Sequence, residues 1–104
     1  LVTYTSKPTT DDISRFYPER GRWRDIEGLL DIVCTVSVSL TLTCDDIRPT
    51  LTGGASPEEM ELARPDFVAA ARRIMALYVV SPKLSNGESS VGAGVRHRMR
   101  FVLE

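Results

Sequence analysis

The sequence predicts an α+β domain in which helices cover one face of a small, three-stranded antiparallel sheet. Three observations carry this. Ile26 to Cys44 alternates apolar and polar residues as a hairpin does, Phe67 to Tyr78 repeats apolar residues at helical spacing, and Gly94 to Leu103 alternates again as a closing strand. With 104 residues and 42% apolar content, the chain suits one domain with a single modest core.

Taken in order, residues 1–8 read as the end of a linker and residues 9–104 as the domain. Leu1 is not an initiator Met, and Thr3-Tyr4-Thr5-Ser6-Lys7-Pro8 reads as the trimmed end of a longer chain. Thr9-Thr10-Asp11-Asp12 supplies capping hydroxyls and early acidic residues, so a short helix is expected from about Asp11 to Phe16. Tyr17-Pro18 interrupts it. A second helix is expected from Pro18 to Arg24, with Trp23 and Ile26 turned inward and the arginines outward. Gly28 then releases the chain into the first long strand.

In the hairpin, Leu30, Ile32, Cys34 and Val36 share one side, and Leu40, Leu42 and Cys44 repeat the alternation on the return. If Cys34 stands opposite Cys44, then Val36 stands opposite Leu42 and Ser39 lies at the middle of the turn. Val38-Ser39-Leu40 contains no Gly, Asn or Asp, the residues that tolerate the positive φ of a tight hairpin, so a wider turn also fits. The second strand is expected to end across Asp45-Asp46-Ile47-Arg48-Pro49, with Thr50 to Ala55 as loop.

Ser56-Pro57-Glu58-Glu59 is a capping box with proline at the first helical position, which predicts a short acidic helix from Pro57 to about Ala63. A separate main helix is expected from Asp66, its inner stripe formed by Phe67, Ala71, Ile74, Met75 and Tyr78. Val79-Val80 is extended, and Ser85 to Ser90 has the composition of a mobile turn. In the last strand Val95, His97, Met99 and Phe101 line one face, and Arg96, Arg98 and Arg100 line the other.

Two cysteines ten apart on one face of a hairpin fit a disulfide better than a metal site, which needs closer spacing and more ligands. Two buried, reduced thiols are the alternative. A bridge would indicate an oxidising compartment. Thirteen basic and fourteen acidic residues leave a net charge of −1, so there is no electrostatic reason to expect nucleic acid or an anionic membrane as partner. No apolar run approaches the roughly 18 to 20 residues of a membrane span. The sole histidine, His97, sits on the packed face of its strand and reads as structural. The acidic pairs sit at helix starts and strand ends, and the glycines match no phosphate-binding loop. No reaction, cofactor or metal is therefore expected. A hydrolase or ligand-binding domain would need a concave pocket around His97 with a carboxylate beside it.

With these residues laid out, the chain resembles the C-terminal domain of the TonB family, the periplasmic energy transducers of Gram-negative bacteria, over roughly Lys7 to Phe101. Tyr17-Pro18-Glu19-Arg20, then Ile26-Glu27-Gly28, is similar to the family's Tyr-Pro-x-x-Ala and Val/Ile-Glu-Gly segments, with Gly21 where the family carries Ala. Phe67 through Ala71 to Pro82 resembles its second helix, and Asn86-Gly87 to Phe101 its closing hairpin and terminal strand. The first hairpin turn lacks the family's usual Asp-Gly, and the Thr50 to Arg64 segment is longer than the resemblance leads one to expect.

The resemblance implies a TonB-like fold and a binding role without catalysis. The domain would grip the TonB box of outer-membrane transporters by strand addition and pass on proton-motive force for active import. The backbone of Val95, Arg96, His97, Arg98, Met99, Arg100 and Phe101 would pair with the box, Arg15, Phe16, Tyr17 and Pro18 would flank it, and the three arginines would meet transporter carboxylates. On this reading Met99→Pro should abolish peptide binding. An N-terminal inner-membrane helix upstream would tether the domain in the periplasm and engage ExbB/ExbD-type motor proteins. A second copy of the chain, as a strand-swapped homodimer, is the other partner the free edge admits. A TolA-like or secretion-system periplasmic adaptor, binding another partner, is the alternative reading.

Overall fold

The computed structural model describes residues 1–103, which form β1 (Tyr4–Ser6), α1 (Thr10–Arg15), α2 (Glu19–Trp23), β2 (Ile26–Val36), β3 (Leu42–Gly53), α3 (Pro57–Met75), β4 (Val79–Val80) and β5 (Gly94–Phe101). Strand order in the main sheet is β3-β2-β5, every pairing antiparallel, and β1 pairs with β4 in a separate two-stranded ribbon. The fold is therefore α+β with a three-stranded antiparallel sheet, as the alternation patterns predict. Segment 1–8, expected as the end of a linker, carries a strand: Tyr4 stands opposite Val80, and its ring lies 4.9 Å from that of Tyr78.

The hairpin has the predicted register at its tip. Cys34 faces Cys44 and Val36 faces Leu42, and the two cysteines form a disulfide with S–S 2.05 Å. The turn is built without Gly, Asn or Asp: Leu40 adopts φ 64°, and its amide donates to the Ser37 carbonyl at 3.0 Å. That is the three-residue loop with a left-handed last residue. Hydroxyls of Ser37, Ser39 and Thr41 bond one another across it.

β3 does not stop near Pro49. The register shifts between Val33 and Cys34, leaving Asp45 as an extra residue, so that Asp46 faces Val33 and Ile47 faces Ile32. This bulge moves the inward parity from Leu42 and Cys44 to Ile47, Pro49 and Leu51. The alternation that looks broken in the sequence resumes one residue out of phase, and the expected loop Thr50 to Ala55 is strand as far as Gly53.

The two helices expected on either side of Arg64-Pro65 are one, α3. Its capping box is present, with the Glu59 amide 3.2 Å from the Ser56 hydroxyl. Pro65 has no N–H for the Glu61 carbonyl, a reason to expect a break. Yet it is exposed, and burying Ala63 one turn before Phe67 continues the apolar stripe past it. The stripe of Phe67, Ala71, Ile74 and Met75 is buried along α3, while Tyr78, expected to continue it, is buried three residues past the end of the helix. Ser85 to Ser90 is tied into a small turn by the Leu84 amide on the Glu88 carbonyl, 2.7 Å, and a bridge between Lys83 and Ser89.

Trp23 is 81% exposed, against the expectation that it turns inward. In a five-residue helix the inward position falls to Gly21, and Trp23, two residues on, is about 200° further round. Gly21 is buried because α2 must approach α3 closely: a Cβ there would lie 2.8 Å from Phe67 Cζ and 3.1 Å from the Tyr17 ring. At this centre the rings of Tyr17, Phe67 and Phe101 meet edge to face, 5.4 to 5.9 Å apart.

Candidate functional site

The sheet has two rims, and they differ. On β3 the outer rim carries Pro49, which has no donor, and its carbonyl accepts a hydrogen bond from Arg64 Nη1 of α3 at 2.9 Å. On β5, among the described residues, no backbone group of Gly94 to Phe101 bonds to anything other than β2. That rim is a vacant pairing edge.

Which β5 amides face outward follows from the ladder. The Val36 amide donates to the Ala93 carbonyl at 3.0 Å and the Val36 carbonyl accepts from Gly92 at 2.9 Å, so even-numbered residues of β2 point their polar groups at β5. Their partners Val95, His97, Met99 and Phe101 then exchange bonds with β2. Gly94, Arg96, Arg98 and Arg100 present their N–H and C=O to the open side. The residues whose side chains point to solvent thus also own the free backbone, while Met99 and Phe101 are buried in side chain and paired in backbone.

The three arginines are exposed and unequal. Arg98 stands opposite Asp31 and its Nε donates to Oδ1 at 3.0 Å. Arg96 stands opposite Val33 and Arg100 opposite Leu29, which have no acceptor to offer. His97 is half-buried on the other face, its ring 5.7 Å from that of Tyr78, and burial pushes its pKa below the usual 6.5.

The Arg15 to Pro18 segment is joined to the end of β5 by the Tyr17–Phe101 contact, 5.5 Å between centroids. Tyr17 is only 7% exposed, and its hydroxyl donates to the Ile26 carbonyl at 2.6 Å. Burial first, then the charge of Glu27, raise its pKa to about 12 against the pull of Arg22. Pro18, also buried, caps α2 with φ −60°. Among the four, Arg15 is exposed and Phe16 half-buried, with the Arg15 guanidinium 4.9 Å above the Phe16 ring and 3.1 Å from Asp12. Thr9 hydrogen bonds in the α1 cap, backbone before hydroxyl, hold the Asp12 carboxyl below the usual carboxylate range.

These four residues also line a groove of about 770 Å³ between α1–α2 and α3. Exposed Trp23 and Leu62 flank it, and Arg20–Asp66 at 3.7 Å and Arg24–Glu59 at 3.1 Å bridge it. The sequence reading missed this groove, because α3 was divided at Pro65 and Trp23 was placed inside. Among the described residues no three His, Cys, Asp or Glu side chains gather as a metal site, and no helix is long and apolar enough to cross a membrane.

Fold and rim together describe a small α+β domain whose β5 edge is left unpaired. Comparison of the chain with protein-family models, with curated proteins and with solved structures finds no match.

Proposed function

We propose that this domain is a non-enzymatic peptide-binding module of the TonB type, which takes up an extended segment of an outer-membrane transporter as a fourth strand beside β5. The observation that carries the reading is the vacant rim: the outward N–H and C=O groups of Gly94, Arg96, Arg98 and Arg100 have no partner among the described residues. The β2–β5 ladder runs eight residues with β2 held on its far side by β3, so a guest on that rim pulls against a sheet and not a loose hairpin.

In this reading the domain stands in the periplasm, tethered to the inner membrane, and transmits the work of ExbB/ExbD-type motor proteins to the transporter. The disulfide is compatible with an oxidising compartment. Arg15 and Phe16 meet the guest at the end of the strand, while buried Tyr17 and Pro18 hold that corner in place. Titration of isotope-labelled domain with TonB-box peptides tests this. Amide shifts concentrated in Gly94 to Phe101 are the expected result, and shifts confined to the Pro57 to Ala63 turns of α3 would overturn it.

A further inference from the structure

We infer that the β5 rim selects its guest by two carboxylates four residues apart, read by Arg96 and Arg100 while Arg98 is silenced by Asp31. The inference rests on strand addition at this rim and goes beyond it by naming which extended segments fit.

The argument begins with the cross-strand partners. Arg96, Arg98 and Arg100 lie on the same face of β5, opposite Val33, Asp31 and Leu29 of β2. Only the middle partner is an acid, and it holds the middle guanidinium at 3.0 Å. The other nearby acids are also engaged. Glu27 Oε2 accepts the Leu103 amide at 2.7 Å, and Asp46 Oδ1 accepts Arg48 Nε at 3.0 Å. Arg96 and Arg100 make no side-chain hydrogen bond or ion pair among the described residues, so two guanidinium groups on this face are open to a guest.

Their spacing sets the rule. Four residues of strand span about 13 Å, so one carboxylate cannot serve both. Because the outward backbone groups belong to the arginines themselves, guest residues paired with Arg96, Arg98 and Arg100 share their face of the sheet. A guest with acids at positions i and i+4 and an uncharged residue at i+2 therefore matches the rim. An acid at i+2 gains little, since it meets a guanidinium that is already neutralised.

The test uses three nine-residue peptides of Thr, Val and Ser, two of them with a pair of Glu placed at i, i+4 or at i, i+2 and one without Glu. Affinity is read by fluorescence anisotropy, and binding at β5 is verified by amide shifts. Each matched carboxylate is expected to tighten binding about 2- to 5-fold, so the i, i+4 peptide binds best, the i, i+2 peptide less well and the uncharged peptide least. The preference should shrink near 1 M salt, where the Debye length is about 3 Å. Asp31→Asn frees Arg98 and should improve binding of the i, i+2 peptide toward that of i, i+4, a gain that no loss of stability produces.

If all three peptides bind β5 equally, or Asp31→Asn leaves the affinity gap between the i, i+2 and i, i+4 peptides unchanged, the charge rule is overturned and strand addition stands. If no peptide shifts the β5 amides, strand addition at this rim falls too. If anionic vesicles shift the arginine residues and the peptides do not, the face reads a lipid surface and the inference is likewise overturned.

Discussion

Proline scanning along β5 separates the backbone that holds the fold from the backbone offered to a partner. The ladder turns the Met99 amide toward the Leu30 carbonyl and the Arg98 amide away from β2. Met99→Pro removes that donor and leaves a buried carbonyl unsatisfied, about 1 to 3 kcal/mol. It also replaces a side chain that is 3% exposed, about 2 to 5 kcal/mol more. The sum approaches the roughly 5 to 15 kcal/mol that holds a domain together, so this variant should be largely unfolded and says nothing about binding.

Arg98→Pro loses no ladder bond and one exposed ion pair, about 1 kcal/mol at most beyond the fit of the ring. It takes one donor from the guest and puts a ring in its path, so peptide affinity should fall about tenfold or more. Arg98→Thr removes the same charge, keeps the amide and should bind within a few-fold of the parent. Stability is measured by urea unfolding followed by circular dichroism, and affinity by peptide titration. An Arg98→Pro domain that is as unfolded as Met99→Pro would refute the assignment of inward and outward amides. One that folds and binds like Arg98→Thr would refute pairing at this rim.

Three further outcomes are expected. Tyr17→Phe should cost about 1 to 3 kcal/mol in urea unfolding, because the Ile26 carbonyl loses the Tyr17 hydroxyl as donor in a buried setting, and should lessen the loss of stability between pH 10 and about 12. The sign follows from the raised pKa: above pH 10 the unfolded tyrosine releases a proton that the folded one keeps, so stability falls as pH rises. Reducing Cys34–Cys44 should lower stability by about 2 to 3 kcal/mol, the loop-closure entropy of so short a ring, and leave the far end of the hairpin paired. For His97 the folded pKa lies below 6.5, so stability should decline as pH falls below that value and level off under the folded pKa, while His97→Gln shows no such step in acid titration monitored by circular dichroism.

Local pattern was enough for every element whose burial follows one uninterrupted period. The Cys34–Cys44 register, the buried stripe from Phe67 to Met75 and the two faces of β5 were legible because side chains alternate at period 2 in strands and recur near 3.6 in helices, whatever lies around them. The capping box at Ser56 is equally local. The expectations that failed are those where a distant contact outweighs the local signal. Asp45 ends the alternation of β3 until β2 accepts it as a bulge. Pro65 breaks a helix until the core claims Ala63 and Phe67 on either side of it. Tyr4 to Ser6 reads as linker until Val79–Val80, more than seventy residues away, supplies the ladder.

The candidate site divides along the same line. The sequence alone placed three guanidinium groups on one face of the last strand, since parity is a property of the backbone. Tertiary structure decided that the strand is an edge, that its outward amides belong to those arginines and that Asp31 neutralises the middle one. Strand order and cross-strand register are fixed by how whole elements bury their apolar faces together, and that choice is made only when the chain has folded.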